Sequence, residues 1–283
     1  VVSVVSANVN GVRAAIRRGG FDWLKTSGTD IWALQEVRAT REEFDQVLAA
    51  AEIAHLNVAH AESIAKGRAG VAVVTGLPIT DVRVDLPSKE FAGTGRWVEA
   101  DVTTKRGPIT VISSYVHTGE AEDETRQAEK MRFLGAIEKR MKALTKREAE
   151  TGIGAVLTGD LNIAHREVDI KNWKGNLNKA GFLPQERAVL ERWFTKHGLV
   201  DLGRELGGPG PGPYTWWSWR GQAFDTDAGW RIDFQIATPE LAKAANSASV
   251  GRAATYAERW SDHAPLTVQF SDSRPRKART ITP

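Results

Sequence analysis

The sequence predicts an α/β fold on three observations. Short runs rich in Val, Ile and Thr recur along all 283 residues. Several are apolar without interruption, as strands covered on both faces tend to be. Helical periodicity fills the intervals between them.

In chain order, a strand is read at residues 1–8, a helix over 12–26, a strand at 31–36 and a helix over 41–51. Strands follow at 70–75, 96–103 and 109–116, then a long charge-striped helix over 122–147 and a strand at 154–158. Over 185–196, Val189, Leu190, Trp193 and Phe194 recur at helical spacing. Strands at 230–237 and 264–270 close the pattern. The one cluster of chain breakers, Gly207 to Pro213, precedes an aromatic segment rather than dividing two cores. The expectation is one domain over 1–270, with long connections and a flexible basic tail over 271–283.

Composition narrows the chemistry. Hydrophobic content of 41% and charged content of 26% are those of a globular chain. With no cysteine, a disulfide framework, a thiolate nucleophile and Cys-ligated zinc or iron–sulfur sites are excluded. Any bound metal therefore has oxygen or imidazole ligands. No apolar stretch is long enough to span a bilayer, and the first residues read as a strand rather than a basic-headed leader, so a cytoplasmic protein is expected. The net charge of +3 is localised, because Arg274, Arg276, Lys277 and Arg279 against Asp272 account for all of it. A body that binds nucleic acid would need its own local basic face.

One stretch, "LTGDLNIA" from Leu157 to Ala164, ends an apolar run on an Asp and an Asn two residues apart. In an extended backbone Asp160 and Asn162 share a face and present a carboxylate beside a carboxamide. Alone, such a pair reads as a turn or cap. Comparable polar residues stand where other strands end: Asn8 in "SANVNG", Glu36 in "IWALQE", Tyr115 in "VISSYVHTGE", and Asp262 with His263 in "RWSDHAPL". Asp233 in "WRIDFQIA" interrupts an apolar strand, where a carboxylate is rarely buried without a partner. Arg231 on its own face and His263 from elsewhere are the candidates.

The segments "NVNG", "LQE", "GDLN", "RIDF" and "SDH", in this order, resemble the exonuclease III family of abasic-site endonucleases. That family lies within the endonuclease/exonuclease/phosphatase superfamily that includes DNase I. The similarity runs from Val2 to Phe270, and "YTWWSWRGQAFDTDAGWRID" is similar to the bacterial branch. The resemblance implies a four-layer α/β sandwich, two mixed sheets face to face with helices outside. It implies a metal-dependent phosphodiesterase that cuts DNA 5′ to abasic sites, with 3′→5′ exonuclease and 3′-phosphatase or phosphodiesterase activity.

By the same resemblance Glu36 would ligate the metal, with Asp262 and Asn8 completing or orienting its shell. Oxygen ligands suit a hard cation, so Mg²⁺ is expected, with Mn²⁺ the alternative. Asp160 would orient or deprotonate the attacking water, and Asn162 would fix it. His263, held by Asp233, is either an imidazolium donor or the general base, a choice the sequence leaves open. Tyr115 would place its phenol on the scissile phosphate or leaving oxygen. Beyond it the pattern departs from the family, with His117 and Thr118 where Pro and Asn or Gln are common, so Thr118 is a contact of shorter reach.

The resemblance also places Trp216, Trp230 and Ile232 in a pocket for the abasic sugar. An unpaired, baseless nucleotide flips out at lower cost than an intact one. Two basic loops would grip the phosphates of double-stranded DNA containing abasic sites or blocked 3′ ends. One holds Lys66, Gly67 and Arg68; the other holds Lys171, Asn172, Lys174 and Asn176, followed by Asn178 and Lys179. A monomer is expected. The competing readings are a superfamily phosphoesterase acting on a different substrate, and a noncatalytic DNA-binding module.

Overall fold

The computed structural model describes residues 1–272, so most of the basic tail read at 271–283 lies outside the described residues. Four strands open the chain: β1 (Val2–Asn8), β2 (Ile31–Gln35), β3 (Asn57–Ala61) and β4 (Val71–Thr75). Six follow: β5 (Ile79–Val84), β6 (Trp97–Thr104), β7 (Gly107–Tyr115), β8 (Ala155–Asp160), β9 (Val200–Asp201) and β10 (Asp233–Ala237). The last two, β11 (Ala245–Val250) and β12 (Leu266–Phe270), return to the first group. The result is two six-stranded mixed sheets, ordered β11-β12-β1-β2-β4-β3 and β5-β6-β7-β8-β10-β9.

The sheets pack face to face through small apolar side chains, among them Val4, Ala33, Val73, Ala100, Val111 and Val156. Helices cover the outer faces. On the first sheet, α1 (Val12–Arg17), α2 (Gly20–Thr26) and α3 (Arg41–Ala50) bury Val12, Phe21, Leu24 and Phe44 against Val5, Leu34 and Val74. On the second, α4 (Glu124–Thr151) and α5 (Pro184–His197) bury Phe133, Ile137, Leu190 and Trp193 against Ile112, Leu157 and Phe234. This is the expected four-layer sandwich. None of the helices among the described residues is long and apolar enough to cross a membrane.

Local physics explains the departures from the sequence reading. The helix expected over 12–26 is two helices, because Gly19 takes a left-handed conformation at φ 81°. The strand expected from 230 begins at Asp233, since Trp230 makes only isolated bridges to Trp216 and Ile170. The strand expected at 154–158 runs on to Asp160. Its glycine is required, because Gly159 lies so close to β7 that a Cβ there would sit 1.9 Å from the Ser114 carbonyl oxygen.

One gradient prepares the site. Along the faces of five strands that meet the other sheet, side chains change from apolar to polar toward the same end of the sandwich. In β1 the series is Val2, Val4, Ser6, Asn8; in β2 it is Ile31, Ala33, Gln35; in β7 it is Ile109, Val111, Ser113, Tyr115. Strand β8 runs Val156, Thr158, Asp160, and β10, antiparallel to it, starts with Asp233 and Gln235 before Ala237. Gln35 donates to the Ser113 hydroxyl (2.9 Å), and Gln235 to the carbonyl of Val4 (2.9 Å), so the polar part of the seam is hydrogen-bonded between sheets.

Candidate active site

Strand direction brings the polar residues together. Parallel pairing of β1 with β2 and of β7 with β8 puts Asn8, Glu36, Tyr115 and Asp160 at one end. Antiparallel pairing of β10 with β8 and of β12 with β1 brings Asp233 and the segment before β12 to that same end. Asp160 is in register with both Tyr115 and Asp233.

The Asn8 amide nitrogen donates to Glu36 Oε1 (2.9 Å) and to Asp160 Oδ2 (3.0 Å), linking the two sheets. Its oxygen accepts from the Asn10 backbone (3.0 Å), so Asn8 orients the carboxylates rather than offering them an oxygen neighbour. Asp262 accepts from the Asn10 side chain (2.8 Å) and the Trp216 indole (3.2 Å). Glu36 pairs with Arg38. Neither Asn10 nor Arg38 was singled out from sequence, yet both stand in this network, and Asn10, Glu36, Arg38 and Asn162 all have φ between 47° and 52°. Left-handed non-glycine residues cost on the order of 1 kcal/mol each and persist where surrounding contacts fix them.

Asn162 stands beside Asp160, but not through extended alternation. The strand stops, and the Asn162 backbone N–H (2.8 Å) and side-chain amide (3.2 Å) both donate to Asp160 in an Asx-type turn. The turn reading and the paired reading of "GDLN" thus describe one structure. The Asn162 amide also donates to the Val116 carbonyl (2.8 Å), while its oxygen accepts weakly from Thr118 (3.4 Å).

His263 places Nδ1 2.8 Å from Asp233 and Nε2 3.7 Å from Asp160. Burial disfavours its charge, but Asp233 and Asp160 outweigh burial and raise the imidazolium pKa to about 10. The Asp160 carboxyl is pushed well above its ordinary value, by burial first, with Asp233 and Glu36 adding repulsion that His263 only partly offsets. Burial, then Glu36 and Asp160, also raise the Tyr115 phenol, which therefore keeps its proton. Arg96 lies 5.1 Å from that ring on the side of the sheet.

Arg231 does not serve Asp233. It turns away to Asp169 (2.7 Å) and Asp201 (2.7 Å), leaving His263 as the partner of Asp233. Asp233 Oδ1 is buried without a hydrogen-bond partner.

Tyr115, Thr118, Asp160, Asn162, Glu36, Asp262 and His263 line a cavity of about 450 Å³. Trp216, Trp230 and Ile232 give the same cavity an apolar wall, the two indoles edge to face at 6.2 Å and packed with Ile170 and Phe182. Of the second basic loop, Asn176 and Lys179 reach the rim, while Lys171, Asn172 and Lys174 are exposed beyond it. Lys66, Gly67 and Arg68 are exposed between β3 and β4 and do not line the cavity. Glu36, Asp160 and His263 each offer a ligand atom, all within 4.8 Å of one another. The carboxylates of Glu36, Asp160 and Asp262 on one cavity fit a hard divalent cation.

A two-sheet sandwich with carboxylates, amides and a buried imidazolium gathered at one end defines a class of phosphoester-cleaving folds. Residues 5–263 match the model of the endonuclease/exonuclease/phosphatase family, and the chain belongs to that family. An exodeoxyribonuclease of Bacillus subtilis (strain 168) is 32% identical over 266 residues, covering 94% of this chain and 98% of that protein. An AP endonuclease from Archaeoglobus fulgidus superposes with a TM-score of 0.80 at 26% identity, covering 95% of this chain and 99% of its own. A 3′ phosphatase from Neisseria, solved with a product DNA hairpin, gives 0.82 at 27% identity over 96% of this chain and 100% of its own.

Proposed function

We propose that the chain is a DNA-repair nuclease that hydrolyses the backbone 5′ to abasic sites, with 3′→5′ exonuclease and 3′-phosphatase or phosphodiesterase action in the same cavity. The observation that carries the reading is the position of Asp160. Its carboxylate ends β8 beside His263 and Asn8, and lines one cavity together with the apolar Trp216, Trp230 and Ile232.

Glu36, with Asp160 and Asp262 nearby, would hold Mg²⁺, or Mn²⁺ in its place. Such a cation supplies charge neutralisation on the nonbridging phosphate oxygens. Asp160 accepts a hydrogen bond from the attacking water and aims it, with positioning contributing more than proton abstraction. Asn162 and Asn8 keep that carboxylate from rotating, since both of their amides donate to it. His263, retaining its proton through neutral pH, donates to a phosphate oxygen, which favours the donor role over the general base. Tyr115 donates its phenolic proton to the phosphate or to the leaving 3′-oxygen.

The indole wall supports selection of a sugar without a base, because an intact nucleotide would have to be unstacked and then accommodated in the same space. Lys171, Asn172, Lys174 and Asn176, and on the other side Lys66 to Arg68, would hold the flanking duplex as a monomer. The test is incision of a 5′-labelled duplex carrying one stable abasic analogue, beside an undamaged duplex, in Mg²⁺ and in chelator. A metal-dependent cut immediately 5′ to the analogue is expected. Absence of that cut from folded, metal-supplied protein would overturn the reading.

A further inference from the structure

Lys130 on α4 and Glu186 on α5 are both completely buried and lie 2.6 Å apart. An ammonium has three N–H groups, and all three are used. Besides Glu186, they go to the backbone carbonyls of Thr118 (2.8 Å) and Asn162 (2.9 Å). Glu186 is equally committed. Its Oε1 also accepts from Gln127 (3.0 Å), and its Oε2 accepts the backbone N–H groups of Gly181 (2.7 Å) and Leu183 (3.0 Å).

Thr118 lies in the connection from β7 to α4, and Asn162 and Gly181 lie near the two ends of the long connection from β8 to α5; all three line the cavity. Gly181 lies close against the catalytic side, at φ 90°. A Cβ there would come within 3.0 Å of the Asn162 carbonyl oxygen and 3.2 Å of the Trp230 ring. Its carbonyl in turn accepts from Ala164 (2.8 Å). A buried ion pair is a poor source of stability, since apolar residues of the same volume usually serve as well or better. What this pair provides is a fixed set of distances among three cavity-lining segments from two long connections.

We propose that Lys130 and Glu186 are positioning residues that hold the segments around Thr118, Asn162 and Gly181 in register around the reactive phosphate. The proposal rests on the nuclease reading above for its kinetic arm. Removing Lys130 alone would leave a buried carboxylate without a counter-charge and destabilise the whole chain. The informative variant is therefore the double substitution Lys130→Met with Glu186→Gln, which keeps volume and removes both charges together.

Two measurements are made on wild type and variant: steady-state cleavage of the abasic duplex with Mg²⁺, and backbone hydrogen exchange followed by mass spectrometry. The expected result is a kcat lower by about 10²-fold, the cost typical of small misplacements at a reacting centre, with KM changed by less than about threefold. Exchange should rise over 116–119, 161–164 and 179–183 while β7 and β8 stay protected. An unchanged kcat overturns the proposal. So does a lower kcat without faster exchange in those three segments, or faster exchange throughout the protein with a matching fall in Tm, which marks a merely structural pair. If wild type itself fails to cut the abasic duplex, the nuclease reading falls, and the exchange pattern still decides whether the loops are held through Lys130.

Discussion

Two residues apart, Arg231 and Asp233 enter two ionic clusters of opposite character. Arg231 is saturated: its guanidinium nitrogens donate to Asp169 and Asp201, and those carboxylates hold its charge against the cost of burial. Asp233 is not. One oxygen meets His263, the other meets nothing, and the adjacent Asp160 is held above its ordinary pKa by burial, with the charges of Asp233 and Glu36 adding to it. A saturated cluster has no valence left for a substrate. An unsaturated one gains when a cation or phosphate arrives, and that difference separates a structural ion cluster from a reactive one.

The largest effect tests the unsaturated side. Asp160→Asn should lower kcat for abasic-site incision by at least about 10³-fold. The same variant should melt higher than wild type in chelator. A carboxyl whose folded pKa lies above its unfolded value contributes stability only at low pH, and weighs against the fold once ionised. A lower Tm would show that Asp160 is part of the scaffold. Arg231→Met makes the opposite change and should cost about 3–5 kcal/mol, read by urea denaturation, because it strands the buried Asp201 carboxylate and leaves Asp169 with Arg204 alone.

His263 sharpens the contrast through pH. Its folded pKa of about 10 exceeds the ordinary 6.5, so its stabilising contribution is complete below 6.5 and lost as pH rises toward 10. Stability in chelator should therefore fall across that window, and His263→Asn should flatten the slope; an unchanged slope would assign it to other groups. The smallest effect lies outside both clusters. Replacing Lys171 and Lys174 with Ala should leave kcat intact while lowering the salt dependence of DNA affinity by about two units of slope. An unaltered slope would remove that loop from the DNA interface.

The sequence reveals the interior of this molecule and conceals its edges. The four strands not read from sequence, β3, β5, β9 and β11, are the four edge strands of the two sheets. Edge strands carry polar, partly exposed residues, as in "ITDVRV" and "ANSASV", so no apolar run announces them. The strand-end residues Asn8, Glu36, Asp160 and Asp233 were legible because a polar group ending or interrupting a buried strand is uncommon. The partner of Arg231 was not, since Asp169 and Asp201 lie on distant segments and sequence alternation assigns only a face. Lys130 and Glu186 were hidden for a related reason. Lys130 stands on the stripe of Leu134, Ile137 and Met141, but spacing assigns only a face and does not reveal a buried glutamate on another helix to receive it.

The inward gradient along β1, β2, β7, β8 and β10 has a consequence for how such a protein acquires new substrates. Its reactive groups are delivered by strand ends, whereas Trp216, Trp230, Asn176 and Lys179 sit on the connections between 171 and 230. On the proposed reading, reaction type and substrate choice rest on separate parts of the chain. Exchanging those connections alone would then alter what is admitted while the strand ends keep the same reactive groups.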